Sequence, residues 1–249
     1  METGGSPRAA LVTGAAAGLG HAIAMALARS GTRVALADIA EEGLAQAAQA
    51  CGPGSVALPL DLRHADSITA CLAAAAEKLG PLDLLVNNAG VALHRPALDL
   101  TWSEWDTVLD VNLKGAFFMS QAFGARLVAE KRPGAIVNIA STHGIVALAD
   151  RAAYGIAKAG VIHLTKMLAV EWARFGIRVN AIAPGTVMTP SRAELLKAPE
   201  ARARMLDRIP LGRFPTAQEV AEAVLYLAGD GAASVTGHTL VLDGGTTVC

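Results

Sequence analysis

RAALVTG, TRVALAD, SVALPLD and PLDLLVN are short apolar runs with no polar alternation, and GLGHAIAMALARSG, EEGLAQAAQA and ADSITACLAAAAEKLG fall between them. A strand with one wet face alternates polar with apolar residues, so runs lacking that alternation belong to strands covered on both sides. Interleaved with helices they read as βαβαβαβ, which right-handed crossovers wind into a parallel sheet with helices on both faces. Gly31 and Gly80 mark the ends of the first and third helices.

Farther along, the spacing predicts helical structure over 101–130 with a break near Asn112, the strand GAIVNIAS, a long helix over 152–175 and the strand RVNAIAP. GTVMTPSRAELLKAPEARARM, rich in proline and charge, reads as irregular ahead of the helix TAQEVAEAVLYLAG and the last strand, HTLVLDGG. No repeat, low-complexity tract or linker interrupts this order. Residues 1–249 therefore read as a single α/β domain, a doubly wound parallel sheet of about seven strands with a substrate loop around 185–212.

With 53% hydrophobic but only 4% aromatic residues and 25 glycines, the composition favours small-residue helices packed closely on a sheet over an aromatic-rich sandwich. The net charge of −1, from 21 basic and 22 acidic residues spread along the chain, provides no field to gather nucleic acid or anionic lipid. A small-molecule partner is expected instead. Cys51, Cys71 and Cys249 are an odd number at spacings that match neither a zinc site nor a disulfide framework, so no metal is expected and the thiols read as idle in a reducing compartment. The N-terminal stretch lacks the apolar run of a leader, and nothing later supplies the roughly 20 apolar residues of a membrane span. A soluble, cytoplasmic protein is the expectation.

In a doubly wound sheet, ligands gather outside the carboxyl ends of the strands. TGAAAGLG stands at the first of these, with Gly14, Gly18 and Gly20 able to make a tight turn and to let the backbone approach a pyrophosphate at a helix N-terminus. The spacing departs from G-x-G-x-x-G, and no Lys-Ser/Thr follows Gly20, which excludes a P-loop. Asp38 closes the second strand, near the separation from Gly20 at which an acidic residue takes the adenosine ribose hydroxyls. Its charge repels a 2′-phosphate, and the neighbouring Ile39 and Ala17 supply no cation to receive one, so NAD is favoured over NADP. Capping of the helix that begins near Glu41 is the competing role for Asp38.

YGIAK places one of only two tyrosines four residues before a lysine. In an arbitrary helix that pair would be a ring against the core and an ammonium in water. Here it stands in order with TGAAAGLG, with NNAG at 87–90, with Ser141 ahead of Tyr154, and with APG at 183–185. On these motifs the chain, from about Ala9 to Gly245, resembles the short-chain dehydrogenase/reductase family. The resemblance implies a Rossmann fold in which Gly14, Gly18, Leu19 and Gly20 hold the cofactor phosphates, and Asp38 and Ile39 meet the adenosine ribose. It also implies that Asp61 and Leu62 stand at adenine, and that Asn88, Ala89, Gly90, Pro184, Gly185 and Val187 line the nucleotide cleft. Asn112, Ser141, Tyr154 and Lys158 match the catalytic tetrad, Tyr154 and Lys158 also touching the cofactor. The family's habit of pairing its long helices between subunits implies a homotetramer.

Removing a hydride from an alcohol carbon needs a base for the hydroxyl proton, and a free tyrosine of pKa about 10 is a poor one at neutral pH. Lys158 lies one helical turn from Tyr154 on the same face, where its ammonium favours the phenolate. A depression of about two to three pK units corresponds to roughly 3 to 4 kcal/mol, within reach of charges in a partly dry cleft. Ser141, at the end of its strand, is placed to donate to the substrate oxygen. The family resemblance gives Asn112 a water that relays the proton to Lys158.

The segments that shape the pocket in this family are LHRPAL, THGIVALADR and TVMTPSRAELL, which hold His94, His143, Arg151 and Arg192. Polar groups there suit a polyol, sugar, sugar acid or hydroxy acid. His143 is the sharpest candidate for substrate contact, with a purely loop-pinning role as its rival. The runner-up activity is a 3-oxoacyl-thioester reductase, which normally takes NADPH and which Asp38 disfavours. A regulator that senses NAD without turnover, or a scaffold acting through its helices, would have no need of the Ser-Tyr-Lys set.

Overall fold

A computed structural model of the chain describes residues 9–189 and 197–249. Among them a seven-stranded parallel sheet runs in the order β3-β2-β1-β4-β5-β6-β7. Its strands are β1 (Ala9–Thr13), β2 (Arg33–Asp38), β3 (Val56–Pro59), β4 (Leu84–Asn87), β5 (Gly134–Ile139), β6 (Ile177–Pro184) and β7 (Thr239–Leu242). The helices are α1 (Gly18–Arg29), α2 (Glu41–Ala50), α3 (Ala65–Leu79), α4 (Trp102–Leu109), α5 (Ala116–Ala129), α6 (Ala152–Trp172), α7 (Pro199–Leu206) and α8 (Ala217–Ala228).

The missing polar alternation has a direct structural cause. Ala10 and Val12 of β1 pack into one core with Ile23 and Leu27 of α1 and Val220 and Val224 of α8. Their neighbours Ala9 and Leu11 pack into the other, with Leu72 of α3, Phe123 of α5 and Leu164 of α6. Each full burial of a leucine such as Leu11 or Leu36 contributes about 2 kcal/mol. Both faces of the sheet are dry, so both residue parities are apolar.

Four of the buried polar side chains form a connected set. Asn87 of β4 lies opposite Asn138 of β5 and donates from Nδ2 to Asn138 Oδ1 at 2.8 Å and to Ser120 Oγ at 2.8 Å. Asn138 Nδ2 donates in turn to Thr165 Oγ1 at 2.9 Å. The network fixes the central strands against α5 and α6, the helices that border the site, and a buried network of this kind enforces one register.

The expected break near Asn112 is a π-helical turn, Asp110–Gly115, between α4 and α5. α4 starts with a reciprocal capping box between Thr101 and Glu104. The stretch expected to be irregular contains α7, which opens with Pro199 and carries Glu200 in its first turn and Arg204 in its last, in keeping with the helix dipole. Its shortness and polarity hid it from periodicity. Among the described residues no helix is long and apolar enough to cross a membrane, and no His, Cys, Asp or Glu cluster is arranged to hold a metal ion.

The chain leaves β1 towards β2 and β3 on one side, while β4 and the later strands build the other. That reversal opens a crevice at the carboxyl ends of β1 and β4, the natural ligand position of an open parallel sheet.

Candidate active site

The glycine turn forms one wall of the crevice. Gly14 and Gly18 have φ of +65° and +57°, which side-chain-bearing residues resist. A Cβ on Gly20 would fall 2.1 Å from the carbonyl oxygen of Gly14, and one on Gly14 would fall 2.7 Å from Ala89 Cα. Asn88 Nδ2 donates to the carbonyls of Thr13 and Gly14, both at 3.0 Å, while Thr13 Oγ1 accepts the N–H groups of Asn88 and Ala89 at 3.0 and 3.1 Å. The ends of β1 and β4 are thereby stitched together. Leu19 packs against the core behind them. No side chain caps α1 and no acidic residue stands in its first turn, so its first amides and positive dipole end remain to meet a phosphate.

Asp38 does not cap α2, whose N-cap is Ala40. Its Oδ2 accepts the N–H of Ala16 at 3.0 Å and its Oδ1 that of Ala40 at 3.0 Å, while Ile39 beside it is exposed. Asp61 accepts Nη2 of Arg63 at 2.6 Å and Nε at 2.9 Å, and the hydrogen bond from Arg63 holds its carboxyl down to about 2. Leu62 is buried beneath the π-turn, its Cβ 2.6 Å from where Gly115 would carry one. On the opposite wall Gly185 donates to the carbonyl of Leu242 at 2.8 Å after the buried Pro184, and Val187 packs half-buried on the core. A turn with no room for a Cβ at Gly14 or Gly20, an uncapped helix N-terminus and a carboxylate at the end of β2 would suit a nicotinamide dinucleotide, with α1 to hold its phosphates and Asp38 its ribose.

The chemistry-bearing side chains meet at the floor. Tyr154 and Lys158 share a face of α6, with Lys158 Nζ 5.8 Å from the centre of the Tyr154 ring. Lys158 is 4% exposed and donates to the carbonyl of Ile139, at the end of β5, at 2.7 Å. Burial pushes its ammonium down to about 8, so it stays largely protonated at neutral pH. Gly90 is what lets the crevice close here, since a Cβ on it would sit 2.9 Å from Asn112 Oδ1 and 3.6 Å from Lys158 Nζ. Asn112, buried in the π-turn, accepts the N–H of Val91 at 2.7 Å and donates to its carbonyl at 2.9 Å, pinning the chain after NNAG.

Ser141 starts the turn Thr142–Gly144 and accepts the His143 N–H at 3.2 Å, with its Oγ also 3.3 Å from His143 Nδ1. The His143 and Tyr154 rings meet edge to face at 5.9 Å. Gly144 seats this turn on α6: a Cβ there would lie 2.7 Å from the Lys158 carbonyl carbon and 2.8 Å from Ala159 N.

Of the residues expected around the substrate, His143 lies beside Ser141 and Tyr154, and His94 is exposed on the loop after β4. Arg151 is buried at the start of α6, its Nη1 3.4 Å from the carbonyl of Leu93. Arg192 falls outside the described residues. Sequence reasoning missed the main-chain partners, namely Ala16 N–H for Asp38, Ile139 carbonyl for Lys158 and Val91 for Asn112, because they have no side-chain signature. It also missed Gly144, for which the small-residue run on α6 that receives it was the available signal.

The family profile described as enoyl-(acyl carrier protein) reductase matches residues 14–247. Among known proteins the chain is 43% identical over 244 residues to the D-threitol dehydrogenase of Mycolicibacterium smegmatis, covering 97% of this chain and 93% of the relative. It is likewise 43% identical over 242 residues to the galactitol 2-dehydrogenase (L-tagatose-forming) of Cereibacter sphaeroides, covering 96% and 94%. A solved short-chain type dehydrogenase/reductase from Mycobacterium marinum superposes with a TM-score of 0.92 at 32% identity, covering 98% of this chain and 97% of that one. Sequence and backbone agree over nearly the whole length with the Ser-Tyr-Lys floor and the glycine wall, and the chain belongs to the short-chain dehydrogenase/reductase family.

Proposed function

We propose that the protein is an NAD-dependent dehydrogenase that oxidises a secondary alcohol of a small hydroxylated substrate, a polyol, sugar, sugar acid or hydroxy acid, to the ketone, and can reverse the reaction. The observation that carries this reading is the convergence of Ser141, Tyr154 and Lys158 on one floor beside the glycine turn. The names of the relatives, acting on threitol and galactitol, support the substrate class.

The nucleotide, when bound, supplies the hydride acceptor. Tyr154, as the phenolate, takes the hydroxyl proton and becomes the neutral phenol, and the buried Lys158 cation favours the ionised phenol from which that step starts. Ser141 donates to the substrate oxygen as its charge changes. Asn112 holds the chain beside Gly90 so that Lys158 has a fixed neighbourhood. Gly14, Gly18, Leu19 and Gly20 cradle the phosphates and Asp38 the ribose, whose 2′-phosphorylated form its charge repels. His94, His143 and Arg151 belong to the segments on the substrate side.

The same reading treats the chain as one dinucleotide-binding and catalytic domain, cytoplasmic and homotetrameric. Exposed Phe118 on α5 with Met167 and Val170 on α6 supports subunit pairing along these helices.

The deciding experiment follows NADH absorbance with purified protein, NAD, and a panel of polyols, sugars, sugar acids, hydroxy acids and simple secondary alcohols, with NADPH binding measured beside NADH. Turnover of a polyol or sugar with NAD is expected. Tighter NADPH binding together with reduction of a 3-oxoacyl thioester would replace this reading by the thioester reductase.

A further inference from the structure

Ser141 must give its hydroxyl hydrogen to the substrate oxygen if the proposed function holds, and a serine hydroxyl has one hydrogen and two lone pairs. One lone pair already receives the backbone N–H of His143 at 3.2 Å, and the His143 Nδ1 stands 3.3 Å from the same oxygen. What the imidazole does at that nitrogen decides what Ser141 can offer. If Nδ1 is bare, the hydroxyl hydrogen turns to the ring and is lost to the substrate. If Nδ1 carries the proton, His143 fills both acceptor directions of Oγ by itself, and the hydrogen is left to point into the cleft.

The turn that carries the ring is held, and one ring contact is made on it. Gly144 seats its turn on the backbone of α6 at Lys158 and Ala159, a Cβ on Gly155 would lie only 3.1 Å from the His143 carbonyl oxygen, and the Tyr154 ring meets the imidazole edge to face at 5.9 Å with an interplanar angle of 71°. We infer that His143 is a positioning residue: through an Nδ1–H it makes Ser141 an obligate hydrogen-bond donor towards the substrate oxygen. This deepens the proposed function and rests on it. The role differs from substrate contact, because the imidazole acts on the serine, and from loop pinning, because the backbone of the turn does the pinning.

The test reads the ring directly by two-bond 1H–15N correlation of full-length protein carrying 15N-labelled histidine rings, without nucleotide or alcohol, with His143→Asn identifying the His143 signals. The expected result is a ring protonated at Nδ1 at neutral pH that moves to the Nε2–H tautomer in Ser141→Ala. A wild-type ring protonated at Nε2 alone, or one indifferent to Ser141→Ala, overturns the proposal.

Kinetics give the second reading, on whichever panel alcohol the wild type oxidises. His143→Ala should lower kcat by roughly 10- to 100-fold, short of the roughly 100- to 1,000-fold for outright loss of a preorganised donor, with NADH affinity unchanged. His143→Asn, whose amide can donate from a similar place, should restore most of it. Equal kcat in all three proteins, or failure of asparagine to exceed alanine, also overturns it. A panel with no turnover counts against the proposed function, while the ring measurement still decides this inference.

Discussion

The carboxylate of Asp38 accepts the backbone N–H of Ala16 at 3.0 Å, tying the end of β2 to the middle of the glycine turn. Its second oxygen takes the N–H of Ala40 at 3.0 Å. One side chain therefore sets both the charge at the end of β2 and the shape of the glycine turn.

Replacing it should have two separable effects. Asp38→Ala leaves the partly buried Ala16 N–H without its acceptor, which costs about 1 to 3 kcal/mol, so NADH affinity should fall by about ten-fold or more. NADPH affinity should fall less or rise, because the repulsion of its 2′-phosphate goes with the carboxylate. Titrating both nucleotides against wild type and variant checks this. An unchanged ratio of the two affinities would remove Asp38 from cofactor selection.

Lys158 gives a prediction in pH. Its folded-state value, about 8, lies below the ordinary 10.5 of the unfolded chain because burial disfavours the ammonium. At pH 7 both states are protonated and the fold carries the whole cost of the buried charge. Between pH 8 and 10.5 the unfolded chain binds the extra proton, so this group's contribution to stability rises with pH, by roughly 3 kcal/mol at most. Lys158→Met removes the charge together with the hydrogen bond to Ile139, and only the first of these losses depends on pH. Thermal melts should show the variant better placed relative to wild type at pH 7 than at pH 10. A difference that does not change with pH would mean that the ammonium is effectively hydrated in the fold.

Elements and motifs were readable where side chains carry the information. Gly14, Gly18 and Gly20, the Tyr154–Lys158 spacing and the two-sided apolar strands each state a local requirement that the fold meets. The interruption at Asn112 was legible as a break, but its π-turn geometry was not, since a 3.6-residue period does not distinguish one widened turn from a kink. Arg151 reads as a loop cation beside the pocket, yet it is buried with Nη1 at the Leu93 carbonyl, because the loop after β4 folds over the start of α6. Partners such as the Ile139 carbonyl are main-chain atoms at strand ends, fixed by tertiary placement that no local pattern encodes.

Two glycines with opposite surroundings test the packing beneath the floor. Gly144→Ala would drive a Cβ to within 2.8 Å of backbone atoms of Lys158 and Ala159, which have no rotamer to yield. It should cost about 1 to 3 kcal/mol and lower kcat, because the turn holding Ser141 must lift from α6. Gly43→Ala, in α2, meets nothing closer than 3.6 Å and should stabilise by up to about 1 kcal/mol. Denaturant midpoints measure both. Equal shifts would show that the seating of the Ser141 turn is soft.

Tyr154→Phe isolates the hydroxyl from the ring. Phenylalanine keeps the packing against Val108, Ala153 and Ala157 and the edge-to-face contact with His143, so the fold and the crevice should survive. Lys158 keeps its bond to Ile139, which does not pass through the phenol. What disappears is the group proposed to exchange a proton with the substrate oxygen, and general acid–base catalysis of that kind contributes about 100- to 10,000-fold. Turnover should therefore drop by at least the lower of these factors, with the NADH dissociation constant and the thermal midpoint close to wild type. Steady-state kinetics on the panel substrate, beside a nucleotide titration, separate the two quantities. Retention of most of the activity would move the proton-transfer role away from Tyr154 and with it the assignment of the floor as the reaction centre.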